Sequence, residues 1–429
     1  AGRASWAQLF PDLRITKRGA LYEEVTRDLR QGVGRLLMSA ERPQAKIAML
    51  WSQPSMYVGW MLSDFEGNPA GPGNRPDDPY GSHGWSRAAW MRLVWASGRQ
   101  YDSLSAERLP EAIDGYDCLV LPATYALDER VVEAARSLLA RGGTVIADMG
   151  VGIANEAGRQ GGRDAALEEI FGLQRDGVPT WTERNVILPG QDTPIEVYAD
   201  TEDMQPVLRR EHEGGGRAYA LNFVAPRDNA MLQWLDANAF DRIPKIAQMS
   251  HLPGAPGEYE LVQMDSGPIT LLGVLRERRM ELSEGPMVLT LPESARVYDV
   301  RAREYIGETD TITADLEPGE TALYALLPYQ VEGVAVSAAD VAQGERCVVG
   351  ATIGATAPTP GDHVVRFEVR DPSGALSEAY TRNVVSRRGE AELAIPFALN
   401  DPPGDWRGTA RGIATGGGGE AVVTLAARG

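Results

Sequence analysis

"YDCLVLPATYALDERVVEAARSLLARGGTVIADMGVG" occupies residues 116–152. Its opening run, 116–123, is apolar enough to be a strand buried on both faces of a sheet. Asp128 then stands where a helix N-cap belongs. Val131, Ala135 and Leu138 fall on one helical face, and Gly142-Gly143 ends the helix. "TVIADMG" (144–150) is the next strand and runs into a glycine turn. Strand, amphipathic helix and strand in this order predict an α/β domain with a mostly parallel sheet.

The same grammar extends outward over residues 46–238. "KIAMLW" (46–51) reads as a strand, "SRAAWMRLVWASG" (86–98) as a helix stopped by glycine, "YDSLS" (101–105) as a second strand, and "GGGRAYALNFV" (214–224) as a late one. Residues 1–45 read as a connector and a helix, with Leu21, Val25, Leu29, Val33 and Leu36 on one stripe and Gly32 and Gly34 weakening it. From about residue 239 short alternating runs separated by Gly/Pro turns predict antiparallel β structure. Pro328 divides this stretch into two expected β-sandwiches, 239–328 and 329–429, the second of immunoglobulin size. "TGGGGE" (415–420) reads as a flexible hairpin turn.

Composition narrows the function. Lys and Arg total 42 against 60 Asp and Glu, a net charge of −18. No concentrated basic footprint exists, so nucleic acid is not an expected partner. No apolar run approaches the roughly 20 residues that cross a bilayer. Cys118 and Cys347 fall in different predicted domains and suggest no disulfide framework. No nucleotide-binding, zinc-protease, serine-elbow or calcium-loop motif is present, so no cofactor and no metal are expected. Low cysteine content suits the cytoplasm or a bacterial exported setting, with a periplasmic or extracellular location favoured.

In open α/β sheets ligands gather beyond the carboxyl ends of the strands. There the long segment 52–85 carries Ser52, Tyr57, Trp60, Tyr80, His83 and Trp85 among glycines, prolines and acids. Its aromatics could stack on sugar faces, or they could anchor a neighbouring domain or subunit. Asp148, at the end of its strand, could act as an acid or base; as a cap or turn former it would be structural. His212 between two glutamates is a weak metal signal, better read as a solvated turn, and His363 reads as structural at a strand start. His251 falls in a linker.

Taken in order, "QGVGRLLMSAERPQAKIAMLWSQPS", "YDCLVLPA", the helix closed by "GGT", and "LEEIFG" (167–172) resemble the trimerisation domain of family 42 glycoside hydrolases, the β-galactosidases, over about residues 30–225. The resemblance implies a flavodoxin-like fold akin to class I glutamine amidotransferases. Their nucleophile turn reads Gly-x-Cys-x-Gly, and on "DMGVG" the cysteine position falls on Gly150, which cannot attack a carbonyl. In the family this domain is non-catalytic and contributes to subunit contacts and to the surroundings of the active site. The run 297–328 is similar to the β domain that follows it there. The last hundred residues look like the macroglobulin or immunoglobulin-like modules of large exported bacterial proteins.

Family catalysis belongs to a (β/α)8 barrel bearing two glutamates. Such a barrel takes about 250 residues, and only 45 precede the first strand here. The chain is therefore expected to be the C-terminal, accessory portion of a longer hydrolase, or a relative without a barrel. It would form a homo-oligomer and meet carbohydrate through its parent enzyme, with no residue in the catalytic glutamate roles. The alternative is a stand-alone carbohydrate-binding or cell-surface interaction protein.

Overall fold

The computed structural model describes residues 26–62, 83–148, 150–159, 162–175, 187–189, 195–198, 205–221, 225–250, 258–277 and 285–428. A short helix, α1 (Gly34–Ser39), is followed by β1 (Ile47–Trp51), α2 (Gln53–Leu62), α3 (His83–Ala96), β2 (Tyr101–Ser105), β3 (Cys118–Leu121), α4 (Glu129–Ala140), β4 (Thr144–Ala147), α5 (Asp164–Phe171), β5 (Ile195–Tyr198), β6 (Gln205–Glu211), β7 (Arg217–Leu221) and α6 (Asn229–Ala237). The strands form one sheet in the order β2-β1-β3-β4-β7-β6-β5. The first five are mutually parallel; β6 and β5 add antiparallel at one edge.

Period-two alternation sends side chains to two cores. Ala48, Leu50, Leu119, Leu121, Val145 and Ala147 pack with α4 and α5. Ile47, Met49, Cys118, Val120, Ile146 and Tyr219 pack with Trp90 and Leu93 of α3 and Leu232 of α6. The sheet is thus covered on both faces, which is why its central strands read as unbroken apolar runs. α4 begins at Asp128, whose carboxylate accepts from the Arg130 amide at 2.9 Å. Cys118 and Cys347 are both buried free thiols. Burial pushes the Cys118 thiol far up, so it stays protonated and inert.

The second region is one six-stranded antiparallel sheet built from β8 (Gln248–Met249), β9 (Tyr259–Ser266), β10 (Ile269–Arg276), β11 (Met287–Asp299), β12 (Glu304–Ala314) and β13 (Thr321–Leu327). The first part of β11 pairs with β8 and the last part with β13, while β12 follows it on the other side with two register shifts. Bulges of this kind bend a strand. All six strands therefore share one hydrogen-bonded sheet around its own core. The third region is a pair of sheets. β14 (Val331–Ser337), β16 (Arg346–Ala355) and β19 (Glu390–Pro396) form one; β15 (Val341–Ala342), β17 (Val364–Arg370), β18 (Arg382–Val385), β20 (Gly404–Gly412) and β21 (Gly418–Ala426) form the other.

The N-terminal helical segment sits between the two β regions. Leu29–Val33 is a π-turn, and Gly32 has φ 131°, so the chain kinks where the stripe reading assumed a continuous helix. A methyl group on Gly32 would lie 2.3 Å from Ile413 Cδ1, and this contact explains the glycine. Val33 and Leu36 share a core with Ile269, Tyr298, Val364 and Ile413. Leu21 and Val25 of the same stripe lie outside the described residues. The stretch 415–420 lies at the turn of the hairpin between β20 and β21, as its composition suggested, and its glycines pack closely against neighbouring backbone. A Cβ on Gly416 would meet the Arg303 carbonyl at 2.6 Å, and one on Gly419 would meet that of Val334 at 2.2 Å. These glycines allow the backbone of the final hairpin to touch both neighbours. Among the described residues no helix is long and apolar enough to cross a membrane.

Candidate functional site

The carboxyl ends of β1, β3 and β4 converge on Asp148, which is 1% exposed. Ala123, just past β3, is held at φ 38°, an uncommon conformation for a residue with a side chain, and its amide donates to Asp148 Oδ1 at 2.5 Å. Ser86 Oγ and Trp90 Nε1 both donate to Oδ2, the indole at 3.1 Å. Ser86 and Trp90 are four residues apart and lie on one face of α3, aimed at the strand ends. Burial raises the Asp148 pKa to about 6, against the opposing pull of the Ser86, Ala123 and Trp90 donors. The carboxylate is thus a pin joining α3 to the β3 and β4 ends. Its partners give it a structural role, though through side-chain donors of α3 and the Ala123 amide instead of the cap or turn expected at a strand end.

The space around the pin is filled. The segments Ala126–Leu127 and Ala154–Asn155 pair as a short parallel ladder above the strand ends. Val58, Ala123, Tyr125, Ala126, Ile153 and Ala154 close into a small apolar cluster. Ser52 is 8% exposed, and its Oγ accepts from the Ser55 amide at 3.1 Å. Ser55 Oγ in turn accepts from the Ala126 amide at 3.0 Å and donates to its carbonyl at 3.2 Å. Ser52 is thus part of the lining that holds α2 down, not an open ligand. Gly150 has φ 82°, and a Cβ there would lie 2.9 Å from the Tyr125 ring. The position aligned with a nucleophilic cysteine is therefore walled by an aromatic side chain.

The remaining candidates divide by burial. His83 opens α3, is 8% exposed, and its ring centroid lies 6.4 Å from that of Tyr125. Burial first, and then Arg87, lowers its pKa to about 4, so it is neutral and packed. Trp85 is half-buried under the Arg227 guanidinium, 5.0 Å from ring centroid to Cζ. Tyr57 is 57% exposed, beside exposed Trp51 and Met56 at the start of α2. The backbone of Trp60 belongs to α2, while its side chain and the whole of Tyr80 lie outside the described residues. The reading of 52–85 as one long irregular loop is corrected at both ends, since Gln53–Leu62 is helical and α3 starts at His83. His251 also lies outside the described residues. His212 stands half-exposed at the β6–β7 turn, as expected, and its Nε2 bonds the Ile170 carbonyl at 2.8 Å. His363 is buried against the Tyr329 hydroxyl at 2.9 Å.

Among the described residues, the strand ends of this α/β domain are covered by its own side chains. No protein-family model matches the sequence, and no curated protein does. Solved structures do. The β-galactosidase from Bacillus circulans sp. alkalophilus superimposes with a TM-score of 0.51 at 18% identity, over 72% of this chain and 45% of that one. Gan42B, a GH42 β-galactosidase from G. stearothermophilus solved as a catalytic mutant, gives 0.51 at 19% identity, over 76% of this chain and 47% of that one. At these identities the likeness is one of fold. The chain spans less than half the length of the β-galactosidases it resembles.

Proposed function

We propose that this chain is the non-catalytic accessory portion of a β-galactosidase-like glycoside hydrolase. Its α/β domain, of the flavodoxin and amidotransferase-like type, serves subunit or domain contact. The two β regions act as the modules that follow it. The observation that carries this reading is the filled strand-end crevice. Asp148 is spent on three internal donors, and Gly150 is closed over by Tyr125. A site built to break bonds keeps room for the reacting atoms beside its acid and nucleophile. The fold shared with β-galactosidases supports the hydrolase setting. Carbohydrate would then be met through the parent enzyme.

We assign contact with a neighbour to the exposed apolar side chains at the end of β1 and the start of α2, Trp51, Met56 and Tyr57. Large apolar and aromatic side chains exposed together mark interaction surfaces more often than chance exposure does. The test is light scattering of the purified chain at high concentration, with a Trp51→Ser/Tyr57→Ser variant beside it. A discrete oligomer that falls to monomer in the variant is expected. A strictly monomeric wild type, or an oligomer indifferent to the substitutions, would count against the role.

A further inference from the structure

A second site lies well away from the strand ends, where the π-turn and the two β regions meet. A cavity of about 560 Å³ opens there, lined by Gln31, Arg303, Arg366, Glu368, Arg411 and Glu420 among others. Its charges are unequally used. Glu368 Oε1 is 2.7 Å from Arg366 Nε, and Glu420 pairs with Arg407 at 3.3 Å. Arg366 also donates to the Arg30 carbonyl and to Asn383. The guanidinium groups of Arg303 and Arg411 make no hydrogen bond or ion pair among the described residues. Each wall carboxylate already pairs with another arginine, Glu368 also attracts Arg411 electrostatically, and the Arg303 and Arg411 guanidinium groups line one space.

The backbone holds them there at a cost. Arg303 is in the left-handed region at φ 64°, a conformation unfavourable for a side-chain-bearing residue. Asp299 fixes its turn by accepting from the Arg301 and Ala302 amides through Oδ1 and from the Arg303 amide through its carbonyl. The Gly416 approach to the Arg303 backbone brings the final hairpin, and with it Arg411, onto this turn. Burial first, and then repulsion from Arg303 and Arg366 against the opposing attraction of Glu368, lowers the Arg411 pKa. An anion between the guanidinium groups would offset that repulsion.

We propose that this cavity binds one oxyanion group, a carboxylate or a sulfate, between Arg303 and Arg411. Guanidinium forks match the planar or tetrahedral oxygens of such groups, and Arg411 is half-buried, which strengthens its charge-assisted bond, while Arg303 is exposed. Two sources supply such an oxyanion, a free inorganic ion and an acidic sugar residue. The site is independent of the accessory role argued above, because it shares no residue with the strand-end crevice or with Trp51, Met56 and Tyr57.

The test is isothermal titration of the full chain at constant ionic strength in sodium chloride, with sodium sulfate, sodium galacturonate and galactose as probes. Saturable binding of sulfate or galacturonate, with none for galactose, is expected. Arg303→Gln and Arg411→Gln should each weaken it at least tenfold. Galacturonate binding more than tenfold tighter than sulfate assigns the acidic-sugar source; sulfate binding as tightly or more tightly assigns the free ion. In parallel, phenylglyoxal labelling of Arg411 in the unaltered chain, followed by peptide mass spectrometry, should be slowed by the bound probe. That arm needs no variant to fold. Absence of saturable binding by both anions, binding retained in the double variant, or labelling indifferent to the anions would overturn the proposal.

Discussion

Replacing Asp148 with asparagine keeps the shape and removes the charge. The amide has one acceptor oxygen where the carboxylate had two. Whichever way it is turned, its NH2 faces either the Ala123 amide or the Ser86 and Trp90 donors. A buried donor left unpaired costs about 1–3 kcal/mol, and that is the expected loss for Asp148→Asn at pH 4, where both side chains are uncharged. A second, larger signature lies in its pH dependence. The folded pKa of about 6 lies above the ordinary 3.8, so the folded state holds its proton longer than the unfolded chain does. The stability this confers is complete below pH 4 and is lost as pH rises through 6. Two units at 1.36 kcal/mol each make that loss about 3 kcal/mol. The asparagine variant has no such titration. Its deficit against wild type should therefore be larger at pH 4 than at pH 7, by about 3 kcal/mol. Urea unfolding of both proteins from pH 4 to 7, followed by tryptophan fluorescence, measures the difference with other titrations cancelled. A deficit that does not change with pH, or a variant as stable as wild type throughout, would refute the pin.

The other substitutions probe packing and protonation. His83 and His363 both have folded pKa values of about 4 through burial, so each contributes stability that is present above pH 6.5 and lost as pH falls through 4. His363→Gln should flatten the acid limb of the stability curve by about 3 kcal/mol, and an unchanged limb in chemical denaturation would contradict the burial argument. Gly150→Cys places a side chain at φ 82° with its Cβ 2.9 Å from Tyr125. A loss of about 2–3 kcal/mol, seen as a lower Tm, and no glutaminase activity are expected. An unperturbed variant that forms a thioester with a glutamine analogue would show the crevice to be open.

The sequence discloses the sheet more readily than the site. Cys118–Leu121 and Thr144–Ala147 announce themselves because a strand covered on both faces must be apolar throughout, and Asp128 and Gly142 bracket the helix between them. α2 is concealed by Pro54 and Gly59. Proline suits a first helical turn, but in a single sequence it reads as a loop signal. The partners of Asp148 are hidden for a different reason. Ser86 and Trp90 stand 62 and 58 residues from it in sequence, and only folding brings them together. The available clue was a polar residue at Ser86, four before Trp90, on a helix face otherwise apolar. The glycine run 415–420 marks the hairpin turn but not its contacts, because flexibility and close backbone approach call for the same residue.

The central claim is that the strand-end crevice performs no chemistry. Purified chain incubated with chromogenic β-galactosides and a panel of other aryl glycosides tests it directly. No release of the aryl alcohol above the buffer rate is expected, with wild type and Asp148→Asn indistinguishable. Steady turnover by the wild-type chain that Asp148→Asn abolishes, in a variant still folded, would contradict it.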